Sequence, residues 1–445
     1  MKKYLLISLI SIFISALAPV KAQFTISGEI REKALYMDGY KLLRDSSKVP
    51  FGLVIQRSRL NLDYKKDKLS FYFSVQDVRS WGQTSPTDYN NNVGLFEAWA
   101  KYDITEQLSV KFGRQQIKYD DERLLCSSIW PDAGSAHDLA LFQYNDKASS
   151  TRVDYGIAMN NDSSSINYLD SYNVKAYKYL SFLWLNRKFI DNKLDISFMS
   201  ILDVNQRTKQ FNNFENRYTL GPNVNYKIDK FRAGGTFYYQ TGSIASGQEV
   251  RAMFYSANVA YRFCKKAELM IAYDHYSGTD FSDTTSAKSK STSFDKLYGS
   301  THRVLGYMDY YLGNSTDITN GAGINDLYAR LNIDPNELNN LEITVHSFRL
   351  DKAYLPVSLA LPVPSTTTIV NKCYQLDKNL GTEFDFVYTY KPSNVINLSL
   401  GYCFMLKTNT LEYISKIAQN KSKFPQFAYL MFSFTPTFFT NNVKK

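Results

Sequence analysis

An all-β transmembrane barrel of about eighteen antiparallel strands is the fold this sequence predicts, and three observations predict it. An export leader opens the chain. Short segments of alternating polarity fill the remainder. Short and long connections alternate between those segments, as they do when strands cross a membrane back and forth.

The leader comes first. Lys2 and Lys3 form a positive n-region, Tyr4 to Leu17 an apolar stretch, and Val20-Lys21-Ala22 a small-residue cleavage pattern, so residues 1–22 read as a signal peptide. Cleavage would leave Gln23, not Cys, at the new N-terminus, which argues against a lipid anchor. Residues 23–445 then read as one domain, because no Pro-rich, Ser/Gly-rich or charged run divides them. No stretch among them approaches the roughly 18 uncharged apolar residues a membrane helix needs. Barrel strands leave a much weaker trace, so this does not argue against a membrane protein.

Composition agrees. The chain has 34 Tyr and 29 Phe, yet 21% of it is charged and the mean hydropathy is −0.33. Aromatic-rich but polar overall suits an apolar outside, a wet inside and two aromatic girdles. A large soluble β-sandwich or solenoid is the alternative. The formal charge is +10, of which the leader contributes three lysines and no acid. The remaining excess favours anionic partners such as lipopolysaccharide or an acidic solute. Nucleic acid is not expected, since no basic patch with stacking aromatics forms a recognisable motif.

The strands follow from alternation. Between Lys68 and Arg79, Leu69, Phe71, Phe73 and Val75 share one face and Ser70, Tyr72, Ser74 and Gln76 the other. Between Gly381 and Tyr390, Phe384, Phe386, Tyr388 and Tyr390 oppose Glu383, Asp385 and Thr389. Ile396, Leu398, Leu400, Tyr402 and Phe404 likewise oppose Asn397, Ser399, Gly401 and Cys403. Short polar turns fall near 64–68, 103–107, 145–149, 188–193, 226–230, 262–267, 333–340 and 390–395. Mostly longer loops fall near 37–51, 80–93, 117–135, 161–174, 204–215, 242–247, 278–322, 351–379 and 406–423. Short turns face the periplasm and long loops the outside. Eight turns and nine loops separate eighteen strands and return both termini to the periplasm; sixteen is the nearest alternative. Residues 299–311 are also strand-like, but counting them inverts the later connections. They are therefore placed within loop 278–322, as a hairpin arm above the membrane. The aromatic, alternating stretch Phe424 to Phe439 reads as the terminal strand that the barrel-assembly machinery recognises, although six residues follow it.

Several segments share a further pattern. It comprises Gln56-Arg57-Ser58-Arg59-Leu60, Gly113-Arg114-Gln115, Asp121-Glu122-Arg123-Leu124-Leu125, Trp130, His137-Asp138, the stretch LYGSTHRVLGYMDYY, Gly323-Ile324-Asn325-Asp326-Leu327-Tyr328 and Gly381-Thr382-Glu383-Phe384-Asp385. With the terminal strand, these resemble the bacterial alginate export family of outer-membrane porins. The resemblance spans most of the chain after the leader and implies an eighteen-stranded barrel with a polar, partly basic lumen. It does not by itself name the solute.

Enzyme signatures are missing. There is no HExxH, GxSxG or Walker loop, and His137, His275, His302 and His346 lack ligand spacing. Cys126, Cys264, Cys373 and Cys403 form no CxxC or zinc pattern, so neither a pairing nor a cofactor is expected. Asp120, Asp121, Glu122 and Asp132 crowd loop 117–135 without EF-hand spacing, and ion pairing with Arg123 is the simpler reading.

Strand parity then selects the lumen-facing charges. Leu60, Leu62 and Tyr64 on the lipid side aim Arg57, Arg59 and Asn61 inward. By the same rule Lys111 and Gln115, Arg232, and Asp326, Tyr328 and Arg330 point into the lumen. Glu97, Asp274, Glu383 and Asp385 are the inward acids. Parity puts Arg114 toward lipid, where a midplane charge costs roughly 2–4 kcal/mol, so it should lie at the rim or beyond a bulge. These groups could attract a passing solute or merely hydrate and cross-brace the wall. The expected function is a channel for polar, anionic solutes or oligosaccharides and polysaccharides, including export of a uronate polymer. The alternative is a surface-binding barrel with a blocked lumen and adhesive loops.

Overall fold

A backbone in hydrocarbon must pair every N–H and C=O within the protein, and a sheet closed on itself does so without leaving an edge. The computed structural model describes residues 22–88, 93–127, 130–160, 177–206, 214–244, 247–280, 289–300, 302–311, 318–319, 321–352, 368–370 and 373–441. The expected leader, Ala22 aside, and the loop at 161–174 lie outside the described residues.

Eighteen antiparallel strands make the barrel. They are β1 Gln23–Asp38, β2 Phe51–Lys66, β3 Leu69–Ser80, β4 Gly94–Asp103, β5 Leu108–Gln115 and β6 His137–Asp146. The wall continues through β7 Thr151–Met159, β8 Tyr179–Phe189, β9 Leu194–Gln206, β10 Phe214–Ile228, β11 Phe231–Ser243 and β12 Glu249–Cys264. It ends with β13 Ala267–Tyr276, β14 Ile324–Asn336, β15 Asn339–Leu350, β16 Asn379–Ser393, β17 Ile396–Lys407 and β18 Gln426–Phe434, which resumes as Thr437–Thr440. Each pairs with its successor in sequence, and β18 closes on β1 from Asp38↔Gln426 to Ile30↔Phe434 and again at Thr25↔Thr440. Pro436, which has no N–H to give a ladder, sits at the break in β18, where its carbonyl accepts from Gly28 N at 3.0 Å. Each of the eight expected short turns falls between the strands expected to flank it, and the alternative of sixteen strands is excluded.

The wall is inside-out relative to a soluble protein. Phe71, Phe112, Leu327 and Leu400 are among the exposed residues, whereas Arg31, Arg57, Asp274, Asp326, Glu383 and Asp385 are buried. The alternation expected for the membrane strands holds on the lipid side, where side chains are apolar, whereas the inward positions are polar on some strands and apolar on others. Arg114 does face outward, near the end of β5, and pairs with Asp138 of β6 at 2.9 Å. Gly113 beside it has φ +117°, and a Cβ there would meet the Ala98 carbonyl at 2.2 Å, so the bend that leads to Arg114 requires glycine.

Two of the long loops do not stay outside. The described residues of the third, 116–136 (L3), and of the seventh, 277–323 (L7), fold into the barrel and bond to each other. Tyr298 N donates to Leu124 O at 3.0 Å and Ser300 N to Glu122 O at 2.9 Å. Tyr119, Leu124 and Leu125 of L3 and Phe294, Leu305 and Met308 of L7 join one apolar cluster with inward side chains such as Phe182, Met199, Tyr238 and Phe254. This corrects the expectation for 299–311. The described part of that stretch forms no hairpin above the membrane. Its apolar residues have an apolar inner wall to pack against, and its backbone N–H groups find carboxylates within the barrel.

Candidate functional site

The inner wall of β1 and β2 carries four cations, Arg31, Lys33, Arg57 and Arg59. Register sets Glu29 opposite Arg59, Arg31 opposite Arg57 and Lys33 opposite Ile55. Alternation brings all of these to the lumen side, so three cross-strand rows stack along one strand pair. Glu29 lies between Arg57, which donates to it, and Arg59 at 3.5 Å. Arg59 also donates to Gln76 Oε1 at 2.8 Å and lies over the Phe96 ring, 3.7 Å from its centroid. From L3, Asp132 reaches both Arg31 and Lys33 at 2.7 Å. Four cations therefore meet two carboxylates, an excess of two positive charges on this wall.

Above the cluster stands an aromatic post. Trp130 of L3 stacks on His302 of L7 with centroids 3.7 Å apart, and Lys33 Nζ lies 4.3 Å from the Trp130 centroid. His302 Nδ1 is 2.9 Å from Asp309, which also accepts from Tyr40. Burial and the neighbouring Asp309 push the Tyr40 hydroxyl well above its ordinary range, so it remains a donor.

The stretch of wall three to five strands from β1, beyond β17 and β18, is acidic. Asp326 of β14, His346 of β15 and Asp385 of β16 form a row, with His346 Nδ1 2.7 Å from Asp326 and Nε2 3.6 Å from Asp385. L7 is seated on this wall by its backbone. Met308 N donates to Glu383 Oε1 at 2.7 Å and Tyr307 N to Asp385 Oδ2 at 3.3 Å. Gly306 makes the approach possible, since at φ +79° a Cβ would stand 2.4 Å from Glu383 Oε1. At its other side L7 is held by β9 to β11, through Tyr298 Oη to Asp203 at 2.7 Å, Arg217 to Asp295, and Gln240 Nε2 to the Asp295 carbonyl at 2.8 Å. L7 thus crosses the lumen.

L3 has its own anchors. Arg123 reaches Asp274 at 2.7 Å and Asp121 at 2.6 Å, the ion pairing expected for this loop. Asp120 Oδ1 accepts from Trp184 Nε1 at 2.9 Å and Ser197 Oγ at 2.6 Å. Burial raises the Asp120 carboxyl above the usual carboxylate range, against the pull of those two hydrogen bonds. Asp120 also borders a polar cavity of about 580 Å³, lined by Asn145, Arg152, Asn186, Asn223 and Asn225 among others.

The expected site residues are distributed unevenly. Arg57 and Arg59 belong to the cation cluster. Lys111 faces inward over the Trp99 ring at 3.9 Å, beside Glu97, which accepts from Trp99 Nε1 at 3.1 Å. Arg330 braces the wall with Glu342 at 3.4 Å and Thr344 at 3.2 Å. Arg232 is one residue from the turn at 229–230, exposed, and paired with Glu268, which Arg262 shares at 3.2 Å. It lies at the periplasmic rim and is not part of the cluster. Asp326, Glu383 and Asp385 belong to the acidic wall. Arg31, Lys33, Asp132, Trp130 and His302 complete the site without having been selected from the sequence. Parity along Thr25, Ser27, Glu29, Arg31 and Lys33 carried the information for the first two.

A closed antiparallel barrel with an apolar outer face, a charged lumen and inward-folded loops has the build of an outer-membrane channel for solutes. The family model for alginate export matches residues 25–413, and the chain belongs to that family. Among solved structures it is similar to OccAB1 of Acinetobacter baumannii, with a TM-score of 0.60 and 12% identity over 94% of this chain and 97% of that one. It is also similar to OpdO of Pseudomonas aeruginosa, with a TM-score of 0.59 and 12% identity over 94% and 98%. At such identity the likeness speaks for the fold alone. No curated protein sequence matches the chain.

Proposed function

We propose that this channel conducts small anionic solutes. The observation that carries the reading is the excess of cations on the β1–β2 wall, where Arg31, Lys33, Arg57 and Arg59 pair with Glu29 and Asp132. Fixed cations in a narrow polar passage raise the local concentration of anions. Their partial pairing keeps binding weak, as conduction requires. The acids of β14 and β16, three to five strands along the wall, oppose the effect, so the preference is modest. Passage of a polymer is less well supported, because L3 and L7 both lie across the lumen and an extended chain would have to displace them. The test is the reversal potential of the purified protein in planar bilayers under a KCl gradient. Anion preference at low salt that fades at high salt supports the reading. A cation-preferring or non-conducting barrel overturns it, and the latter would favour a surface-binding role for the loops.

A further inference from the structure

Three consecutive short turns gather positive charge away from the pore. The turn from β8 to β9 carries Arg187, Lys188 and Lys193 against Asp191 and Asp195. The turn from β10 to β11 carries Lys227, Lys230 and Arg232 against Asp229. The turn from β12 to β13 carries Arg262, Lys265 and Lys266 against Glu268. Nine cations thus meet four acids, an excess of five charges on one arc of the periplasmic rim. The arc is bounded on both sides. The turn before it sets Asp146 and Asp154 against Lys147 and Arg152, and the turn after it carries Asp334 and Glu337 with no cation. Glu268 holds Arg232 and Arg262, and Lys188 lies 3.9 Å from Asp195. Arg187 lies over the Phe189 ring at 5.2 Å, within electrostatic reach of Asp146. Lys193, Lys227, Lys230, Lys265 and Lys266 are exposed and make no ion pair among the described residues. The turns are laid against one another by their backbones, since Lys227 N donates to Lys193 O and Arg262 N to Lys230 O, both at 2.8 Å. Just above them the apolar band ends. Register sets Phe231 opposite both Ile228 and Tyr261, and all three are exposed on the lipid side. The arc is therefore a level rim at the depth where lipid headgroups begin, rather than a projection that a periplasmic protein could grip.

We infer that this arc is an interaction surface for anionic phospholipid of the inner leaflet, phosphatidylglycerol in preference to zwitterionic phosphatidylethanolamine. The inference does not depend on which ions the pore prefers. Lysine stems can lie along the apolar band while their ammonium groups reach the phosphates. A cluster of such cations at a membrane surface gathers anionic lipid. Phosphatidylethanolamine brings its own ammonium, which the same cations repel. A net headgroup charge about 6 Å from one of them, at an effective dielectric of about 40 and a Debye length of about 8 Å, is enriched about threefold. At 1 M salt the enrichment falls to about 1.4-fold.

The chain supplies its own reporter. Cys264 is exposed and pairs with Ala267 beyond a bulge. Ala267 shares its face with Leu269, which pairs with the lipid-facing Tyr261, so the thiol lies on the lipid side of the arc. Cys126 and Cys403 are buried, so a bimane placed on Cys264 in a Cys373→Ser background reads the lipid beside the arc in reconstituted bilayers. Phosphatidylglycerol with a nitroxide near the top of its acyl chain should quench it at about one third of the membrane fraction required of phosphatidylethanolamine with the same label, and the difference should nearly vanish at 1 M salt. Lys193→Gln, Lys230→Gln, Lys265→Gln and Lys266→Gln together should abolish the difference, and the four Arg replacements should keep it. A bimane on Glu106→Cys in a Cys264→Ser, Cys373→Ser background, at the turn from β4 to β5, should show no preference. Equal quenching of the Cys264 reporter by the two lipids at low salt overturns the inference. So does a preference that survives the four glutamines or is as large at position 106. Equal quenching with cosedimentation on peptidoglycan that the four glutamines abolish would give the arc to the cell wall instead. The comparisons between lipids and between the two reporter positions hold even where the fourfold variant does not assemble.

Discussion

Removing the two guanidinium groups of β2 tests the basis of selectivity. Arg57 and Arg59 both engage Glu29, so Arg57→Ala with Arg59→Ala leaves Arg31 and Lys33 facing Glu29 and Asp132, and the excess of two charges falls to zero. For an ion passing about 7 Å from each lost charge, at an effective dielectric of about 40, Coulomb's law gives about 1.2 kcal/mol per charge. A Debye length of about 8 Å reduces this to about 0.5 kcal/mol at physiological ionic strength. Two charges then amount to about 1 kcal/mol, roughly a fivefold fall in local anion concentration, and the opposite change for cations compounds it. At 1 M salt, with a Debye length of about 3 Å, the same change amounts to only about 1.5-fold. Reversal potentials across a KCl gradient, read at both salts in wild type and double variant, measure the difference. Arg57→Lys with Arg59→Lys keeps the charge and should retain most of the preference. A double Ala variant with wild-type selectivity at low salt would show that these arginines only brace the wall. A shift of equal size at 1 M would show that pore shape, not charge, had changed.

Asp132→Asn should act in the reverse sense, raising the excess to three charges and strengthening anion preference about twofold by the same arithmetic; an unchanged reversal potential counts against the cluster. Gly306→Val forces a β-branched residue to φ +79° against Glu383, a left-handed cost of about 1–2 kcal/mol before the clash. L7 should leave the Glu383 and Asp385 carboxylates, and single-channel current should become larger and noisier; a wild-type trace would mean that L7 is held elsewhere. Because burial raises Asp120 in the folded protein, its contribution to docking of L3 is present below the ordinary carboxylate range and is lost as pH rises through the raised value. Cleavage after Arg123 should accordingly increase as pH rises above the ordinary carboxylate range in wild type and stay flat in Asp120→Asn; parallel profiles would remove Asp120 from that dependence. For topology, Ser85→Cys should react with an impermeant thiol reagent on intact cells and Asp229→Cys only after permeabilisation, and the converse would invert the barrel.

Much of this architecture was legible because membrane strands repeat with a period of two and their connections differ in length. Short polar stretches such as YKIDK and YKPSN leave room for nothing but a turn. Alternation in 52–64 and 323–333 was enough to send Arg57, Arg59, Asp326 and Arg330 inward. What parity cannot convey is height. It aimed Arg232 at the lumen but not at the periplasmic rim, where Glu268 holds it. Nor can it convey partners. The charges of β1 matter because register sets Arg31 against Arg57, and because Asp132 arrives from a loop 101 positions away in sequence. The path of 299–311 was misread for the same reason. Its alternation resembles a strand, but its backbone is bound by Glu383 and Asp385, and Arg303 by a glutamate 181 positions earlier in sequence. Such pairings are set by distance in space, which local pattern does not encode.

The seam between β1 and β18 has a consequence for how the molecule is made. Every other neighbouring pair in the wall is also consecutive along the chain and can zip as soon as its two halves exist. This pair joins the ends, and Asn441 N donates to the carbonyl of Phe24 at 3.1 Å across 417 positions. Until it forms, the growing sheet has two raw edges, and an unpaired edge is a template for any other strand it meets. The interruption at Thr435–Pro436 leaves one rim without a regular ladder, which makes it a poor template at that point. Closure is then the last and slowest event, since the loop it shuts is nearly the whole polypeptide. Lesions at this seam should slow the yield of finished barrels more than they weaken barrels already closed.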